Sequence, residues 1–273
     1  MTAQATAAAG RAPDGRWFAQ TPMSDPRPSP MLDRLPTTVG DLLRATQGVL
    51  IHLEWTSAYG LAVEDLPRAS RQTLSLSDRL RMLSDADPRP LVTPRSPKAR
   101  SPGTCRDYAL MLCGLLRYRG IEARVRCGFA AYFRKPWEDH WICEYRLPGE
   151  SRWRRADAQL DDVLVADLGI TFDPTDLPQE TFITADEAWR RCRAGNVDPA
   201  SFGHGTACGL WFMRVNVVRD HLVLNGAEVS AWDSWRDASA AHQSLSDDEL
   251  KVTDDLAADP AQATRPISPP WIA

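Results

Sequence analysis

The sequence predicts an α+β fold in which a central helix packs on an antiparallel sheet, with further helices at its flanks. Three observations support this prediction. A run with one apolar stripe at helical spacing begins at Cys105 and stops near Gly120. Directly after it, residues 121–129 alternate between apolar and polar side chains, as a half-buried strand does. Two further strand-like runs, 139–146 and 151–158, are separated by a short turn, which is typical of an antiparallel hairpin.

The predicted central helix has a well-defined start. Thr104 is a favourable N-cap residue, and Asp107 stands where it can complete a capping box. Gly120 provides a stop at the other end. Cys105 therefore lies in the first turn, where unpaired N–H groups and the positive end of the helix dipole favour a thiolate over a thiol. This position makes Cys105 the best candidate nucleophile in the chain.

The predicted hairpin brings two more polar side chains together. Its four-residue turn has Pro148 and Gly149 in favoured positions. If the hairpin closes symmetrically between them, His140 lies directly opposite Asp157, with Cβ atoms about 4.5–5.5 Å apart. The carboxylate can then orient the imidazole, whose other nitrogen can take a proton from Cys105. These three residues are thus predicted to be base, orienting carboxylate and nucleophile.

Outside this region the sequence predicts more helices and irregular ends. The helices are expected at 41–53, at 75–83 with Leu80 and Leu83 facing inward, from the capping box Thr184-x-x-Glu187 to near Gly195, at 210–224 as a buried helix, and after the capping box that begins at Ser246. Residues 1–30, rich in Ala and then in Pro, are expected to form a flexible or surface-draped arm, and residues 260–273 an irregular tail. This leaves a single catalytic domain with helical decorations over 31–259.

Composition argues against several classes of function. With 273 residues, 43% of them hydrophobic, the chain can bury one sizeable core. A formal net charge of -4 makes nucleic acid an unexpected partner, because such binding depends on Lys and Arg that neutralise phosphates. No segment approaches the roughly 20 apolar residues that span a bilayer, so no membrane role is expected. No Cys-x-x-Cys pair occurs, so the chain lacks the usual ligand spacing of a structural zinc site and no metal is expected.

The cysteines and the first residues indicate a compartment. The first ten residues contain no Lys or Arg and no long apolar stretch, unlike a secretory signal. The six cysteines are therefore expected to be reduced, in the cytoplasm. The Ala-, Arg- and Pro-rich composition suggests a high-GC bacterial source.

Three sequence blocks resemble those of a known family. The stretches GTCRDYA (103–109), DHW (139–141) and RWRRADAQ (152–159), in this order, resemble the nucleophile, base and carboxylate blocks of the transglutaminase-like superfamily. Between the first two, residues 119–124 are similar to the family's helix-to-strand turn. The resemblance covers roughly residues 100–162. After the carboxylate, Ala-Gln stands where the family often has Pro or Thr.

The resemblance implies a papain-like core and acyl chemistry at Cys105, with His140 as base and Asp157 as the third member of a triad. Because the family includes crosslinking enzymes, peptidases, amidases and transferases, it implies a cysteine acyltransferase or hydrolase acting on a small molecule, a peptide or an acyl group bound to a carrier protein. A plain cysteine peptidase or amidase, and a non-catalytic papain-like binding module, remain alternatives. No cofactor is expected, and no calcium dependence, since the chain lacks an Asp-x-Asp-x-Asp loop.

The remaining candidate groups have simpler interpretations. The other five cysteines are expected to be buried apolar groups, and His52, His204 and His221 to be hydrogen-bonded structural histidines. An oxyanion would need N–H donors, of which the backbone N–H of Cys105 is expected to be one; the second is left open among His52, Trp55 and Tyr59. Residues 101–160 carry a local net charge of +4, which could steer an anionic acyl donor or an acidic carrier protein, although a solvated strand face is the expected explanation.

Overall fold

The computed structural model of the protein describes residues 15–67, 75–231 and 244–261. It has the predicted α+β architecture. Its helices are α1 (Val39–Gln47), α2 (Leu76–Ala86), α3 (Cys105–Tyr118), α4 (Asp162–Leu168), α5 (Ala185–Arg193), α6 (Leu210–Leu224) and α7 (Asp247–Ala258). Its strands are β1 (Leu50–His52), β2 (Ser101–Gly103), β3 (Glu122–Ala130), β4 (Trp137–Arg146), β5 (Arg154–Ala156), β6 (Phe182–Thr184), β7 (Phe202–His204) and β8 (Ala207–Cys208).

The main sheet is built around the two long strands β3 and β4. They pair in antiparallel fashion from Glu122 opposite Arg146 to Ala130 opposite Glu138. β6 pairs with the other edge of β3, while β5 and β7 both pair with β4, and β8 pairs with β7. A separate parallel pair, β1 with β2, leads directly into α3. The start of α3 is thereby joined to a second, distant segment of the chain.

The central helix α3 begins at the predicted residue. Thr104 and Asp107 form the capping box, in which the Thr104 N–H donates to Asp107 Oδ2 at 2.9 Å. Most of the helix's side chains are buried, and it packs against β3, β4 and α1. It ends before Gly120, whose φ of +72° lies in the left-handed region that glycine tolerates best. Capping and burial together hold Cys105 at a firmly packed helix start.

The predicted hairpin forms, but its predicted register is wrong by two residues. Cys143 lies opposite Ala156, a register whose continuation puts Ile142, not His140, opposite Asp157. Because side chains alternate along a strand, a shift of two residues keeps each of them on its original face. His140 and Asp157 therefore still share a face and meet as diagonal neighbours, which long side chains can bridge.

The shift originates after the turn, not in it. The turn closes as predicted, since the Glu150 N–H donates to Leu147 O at 3.0 Å. Residues 151–153 then follow without strand pairing, so β5 begins only at Arg154. The Arg154 guanidinium binds both carboxylate oxygens of Glu150, at 2.7 and 2.9 Å, across this unpaired segment. A symmetric closure could not be distinguished from this offset by alternation alone.

The helix predicted over 41–53 is correct only in its first part. α1 ends at Gln47, and residues 50–52 form β1, which pairs with β2. The consecutive apolar residues 49–51 suit a buried strand as well as a buried helix, and periodicity does not separate the two. The partner strand, about fifty residues further on, decides between them.

The other predicted helices are confirmed, with one correction. α2 begins after Ser75, α6 has the predicted bounds and is mostly buried, and α7 begins after Ser246, which forms a capping box with Glu249. α5 also starts at the predicted place, after Thr184, and ends two residues before Gly195. The Thr184 side chain, however, makes no capping hydrogen bond, so the predicted capping box with Glu187 is wrong.

Part of the predicted N-terminal arm is packed on the core. Residues 1–14 of that arm, like 262–273 of the predicted tail, lie outside the described residues. Further on, Gln20 Nε2 donates to the carbonyl of Gly114 in α3 at 2.9 Å, and the Leu76 N–H donates to Met23 O at 2.7 Å. Ser24 is fully buried. Residues 20–24 thus lie against α2 and α3, while the division of the chain into arm, domain and tail stays a prediction.

Gly114 allows this close approach, and replacing it by alanine is expected to destabilise the protein. Alanine in a helix interior normally stabilises by up to about 1 kcal/mol relative to glycine. At this position, however, the new Cβ would overlap Ser24 O and stand 2.5 Å from Leu76 Cδ2. We expect a net loss of about 1–3 kcal/mol in urea unfolding. Gly40→Ala in α1 is the control, because the nearest atoms are 3.7 Å away and belong to a flexible Arg44 side chain; equal effects of both changes would contradict the argument.

Candidate active site

A cleft of about 540 Å³ opens at the N-terminus of α3. Thr104 and Cys105 from the helix start, His140 from β4 and Gln159 from the segment after β5 line it. Its apolar wall consists of Leu53, Trp55, Phe133, Trp211, Phe212 and Val215. Its charged or titratable wall consists of Glu54, Arg134, Glu138, Asp139, His204 and Arg219. The predicted nucleophile and base therefore share one cavity.

Cys105 is half-buried at the start of α3. Asp107, the carboxylate that caps this helix, is held in place by two ion pairs. Asp107 lies 3.0 Å from Arg79 Nη2 and 3.3 Å from Arg106 Nη1. Burial by itself raises the pKa of Asp107, but the two guanidinium groups and the Thr104 N–H outweigh it and bring the pKa below its ordinary value. The cap thus stays ionised, and the helix start stays in place, at physiological pH.

The predicted base and carboxylate are in direct contact. His140 Nε2 lies 2.8 Å from Asp157 Oδ2, and both side chains are almost fully buried. The Tyr132 hydroxyl donates to the same oxygen at 2.7 Å, and the Gln159 N–H donates to Asp157 Oδ1 at 2.9 Å. The carboxylate therefore accepts hydrogen bonds on both oxygens, which fixes its plane. Since Nε2 faces Asp157, Nδ1 is the ring nitrogen left for Cys105.

The electrostatics favour a charged imidazole. Burial alone would lower the pKa of His140, but the charge and hydrogen bond of Asp157, together with the neighbouring Cys105 side chain, raise it to about 10. His140 is therefore an imidazolium at neutral pH, a state in which both ring nitrogens donate. A donor at Nδ1 is what a neighbouring thiolate needs.

Two aromatic residues that the sequence analysis did not single out hold the imidazole ring. Tyr132 and Phe133 contact His140 edge to face, with ring centroids 5.9 and 4.9 Å away. Both lie in the connection between β3 and β4, where no motif or periodicity marks them. The contact of the Gln159 N–H with Asp157 was not predicted either, although Gln159 stands two residues after this carboxylate. These contacts restrict rotation of His140 and depend wholly on tertiary packing.

Of the three candidates for a second oxyanion donor, two reach the cleft. His52 and Trp55 line it, but Tyr59 does not. Tyr59 lies instead beside Asp161 and Arg100, and burial, reinforced by Asp161, raises the pKa of its hydroxyl. Tyr59 is thereby excluded as a group that meets substrate.

The remaining cysteines and histidines mostly occupy the expected structural positions. Cys113, Cys127, Cys143 and Cys192 are buried, whereas Cys208 is half-buried, so the predicted burial is wrong for this last one. His221 is buried, with Nδ1 3.0 Å from Pro260 O. His204 lies at the cleft between Glu138 and Glu54, at 2.8 and 3.2 Å. Hydrogen bonds to these two carboxylates, Glu138 first, raise the pKa of His204 to about 10.

The excess of basic residues between 101 and 160 is largely neutralised within the fold. Arg126 binds Asp220 and Glu144, and Arg146 binds Glu122. Of the eleven Lys and Arg side chains in this stretch, all of them described, Arg134 alone lines the cleft. The local charge counted along the sequence is therefore no measure of the field in the cleft.

Within residues 15–67, 75–231 and 244–261, no group of three or more His, Cys, Asp or Glu side chains is arranged to hold a metal ion. Nor does any helix there combine the length and apolarity needed to cross a membrane.

A family model matches part of the chain. Residues 61–158 match the family model of the transglutaminase-like superfamily, a stretch that contains Cys105, His140 and Asp157. No curated protein and no solved structure gave a match. Proteins of this superfamily are in general cysteine-dependent enzymes. Residues 61–158 of the chain therefore match a transglutaminase-like domain.

Proposed function

We propose that the protein is a cysteine enzyme that forms an acyl-thioester at Cys105 and passes the acyl group to an acceptor or to water. Cys105 acts as nucleophile, His140 as acid and base, and Asp157 as the group that orients and charges the imidazole. The observation that carries this proposal is the contact of His140 Nε2 with Asp157 Oδ2 at 2.8 Å, in a ring that lines the same cleft as Cys105.

The proposed first half-reaction is acylation. The Cys105 thiolate attacks the acyl carbon, and the carbonyl π electrons move to the oxygen as the S–C bond forms. On collapse, that electron pair returns and the bond to the leaving group breaks. The departing group takes the Nδ1 proton of the His140 imidazolium, and the acyl group stays on sulfur.

The proposed second half-reaction regenerates the enzyme. His140, now neutral, takes a proton from water or from an acceptor such as an amine, and that nucleophile attacks the thioester. Collapse expels the Cys105 thiolate beside the re-formed imidazolium. Water gives a hydrolase, peptidase or amidase, and another acceptor gives an acyltransferase; both use the same groups.

The cleft suits an acyl group with apolar surface. Trp55 and Phe133 lie with ring centroids 5.4 Å apart, and Trp211 and Phe212 contribute a second aromatic pair at 5.5 Å. Such walls bind apolar carbon, while the charged groups nearby can orient polar ends. This supports a small molecule, a peptide or a carrier-bound acyl group as substrate. We also infer a cytoplasmic location, where thiols stay reduced, because all six cysteines are free.

The test is covalent trapping with para-nitrophenyl acetate. We expect one acetyl adduct per chain by intact mass, mapped to Cys105 by peptide mass spectrometry, and no such adduct in Cys105→Ala. Cys208 is the internal control, because it is also half-buried but lies outside the cleft. Adding an amine separates transfer from hydrolysis by the product that discharges the adduct. Acetylation spread equally over both cysteines would overturn the proposal.

A non-catalytic binding module predicts a different result. In that case Cys105 would react with iodoacetamide at about pH 6 no faster than the other thiols. The proposed enzyme requires selective alkylation of Cys105 under these conditions.

A further inference from the structure

His52 lies beside the start of the nucleophile helix, although it is distant in sequence. β1 and β2 pair in parallel, and His52 is the partner of Gly103, which precedes Cys105 by two residues. Adjacent strands lie roughly 4.8 Å apart, so His52 is fixed next to the chain that enters α3. Its side chain lines the cleft together with Thr104 and Cys105.

The orientation of the His52 ring is set by a backbone contact. Its Nδ1 accepts a hydrogen bond from the Glu54 N–H at 3.2 Å, as the N-cap of the short 3₁₀ segment Leu53–Tyr59. The side chain is only 8% exposed. Across residues 15–67, 75–231 and 244–261, no group pairs with Nε2. Nε2 therefore has no partner among those residues, and it belongs to a nearly buried side chain that lines the cleft.

The charge state of His52 is opposite to that of His140. Burial, the dominant cause, lowers the pKa of His52 to about 4, so the ring is neutral at physiological pH. Because Nδ1 accepts a hydrogen bond, the single ring proton resides on Nε2. His52 thus presents a neutral N–H group to the cleft.

We propose that His52 Nε2–H is the second donor to the oxyanion formed during acylation of Cys105, with the backbone N–H of Cys105 as the first. This inference rests on the proposed function. As the S–C bond forms, the carbonyl oxygen gains the π electron pair and accepts both hydrogen bonds. The Nε2 proton stays on nitrogen throughout, because a neutral imidazole is a very weak acid. When the intermediate collapses, the electron pair returns to the carbonyl and no proton is left to recover.

Two substitutions distinguish the role of His52 Nε2–H as a donor from the role of Nδ1 as the cap that accepts from the Glu54 N–H. His52→Asn keeps an acceptor near the Nδ1 position for the Glu54 N–H but removes the Nε2 donor. His52→Gln can place an N–H near the Nε2 position. We expect His52→Asn to slow acetylation of Cys105 by para-nitrophenyl acetate about 10²–10³-fold, and His52→Gln to recover at least part of that loss. Trp55→Phe tests the other donor at the cleft and is expected to have a smaller effect.

Alkylation by iodoacetamide distinguishes this role from a structural one. Alkylation attacks an sp³ carbon and forms no oxyanion, so its rate at Cys105 should change less than about threefold in His52→Asn. Equal losses of alkylation and acetylation would show that His52 only positions the helix start and would overturn the inference. So would an unchanged acetylation rate, or a larger loss in Trp55→Phe. Failure of the proposed function itself is separate, because then the wild-type chain forms no Cys105 adduct.

Discussion

Asp157→Asn is expected to slow acylation of Cys105 by about 10³–10⁴-fold while leaving the fold intact. In the wild type, Asp157 Oδ1 accepts from the Gln159 N–H and Oδ2 faces His140 Nε2. An asparagine that keeps the first contact turns its NH₂ group toward Nε2. That nitrogen must then accept, so the ring proton moves to Nδ1, the nitrogen that has to receive the proton of Cys105. In this tautomer the His140 ring is also neutral, so it no longer supplies the positive charge that stabilises a Cys105 thiolate.

The measurement is the rate of acetyl adduct formation by intact mass, with Asp176→Asn as control. Asp176 also pairs with arginine, at 2.9 Å from Arg152 Nη1, but lies outside the cleft. We expect wild-type rates for this variant. If Asp157→Asn kept more than about a tenth of the wild-type rate, the assigned role of Asp157 would be wrong.

The same substitution should remove a pH dependence of stability. The pKa of His140 is raised to about 10 in the folded protein, above its ordinary value of 6.5. Its contribution to stability is therefore complete below about pH 6.5 and is lost as the pH rises toward about 10. Urea unfolding of the wild type should show this decline, and Asp157→Asn should show little of it. Parallel pH profiles would contradict the cause assigned to the His140 pKa.

Arg126→Met is expected to destabilise the protein by about 3–5 kcal/mol. The guanidinium is buried among three carboxylates: it lies 2.8 Å from Asp220 Oδ2, 3.1 Å from Glu144 Oε2 and 3.2 Å from Asp186 Oδ1. Methionine fills a similar volume but leaves these charges uncompensated in a largely buried site. The loss therefore reflects buried like charges more than the absence of an attractive contact.

The loss of unfolding free energy caused by Arg126→Met should become smaller at acidic pH. Burial raises the pKa of Glu144, but Arg126 and its neighbours Arg124 and Arg155 lower it to about 2 in the wild type. The wild type thus gains stability from this ionised carboxylate above its ordinary pKa of 4.5 and loses that gain as the pH falls toward about 2. The variant lacks much of the gain, so the two stabilities should converge below about pH 4.5.

Arg44→Met is the matched control for this prediction. Arg44 pairs with Asp41 at 2.6 Å, but its side chain is 70% exposed. An exposed ion pair contributes little to stability, so the change should hardly move the urea midpoint. Similar losses at both arginines would mean that burial of the charges does not control the effect.

Local sequence signals predicted the elements that carry the candidate triad. The capping pattern at Thr104 and Asp107 is short-range chemistry, so the start of α3 was predictable to the residue. The alternation after Gly120 likewise predicted β3, but the expectation of a half-buried strand is wrong, because the polar face is also buried and Arg126 pairs there with Asp220. The hairpin register was not predictable, because unpaired residues after the turn shift it by two without changing which face each side chain occupies.

By itself, the sequence determined that a cysteine begins a buried helix and that a histidine and an aspartate share one face of the following sheet. Only the tertiary structure decided which other groups join them. His52 meets the helix start through a parallel pairing of two three-residue strands, too short for any periodicity to reveal. The opposite charge states of His52 and His140 also come from packing, because burial lowers one pKa while a buried carboxylate raises the other. Protonation depends on the surroundings of a side chain in space, which residue identity and spacing along the chain do not specify.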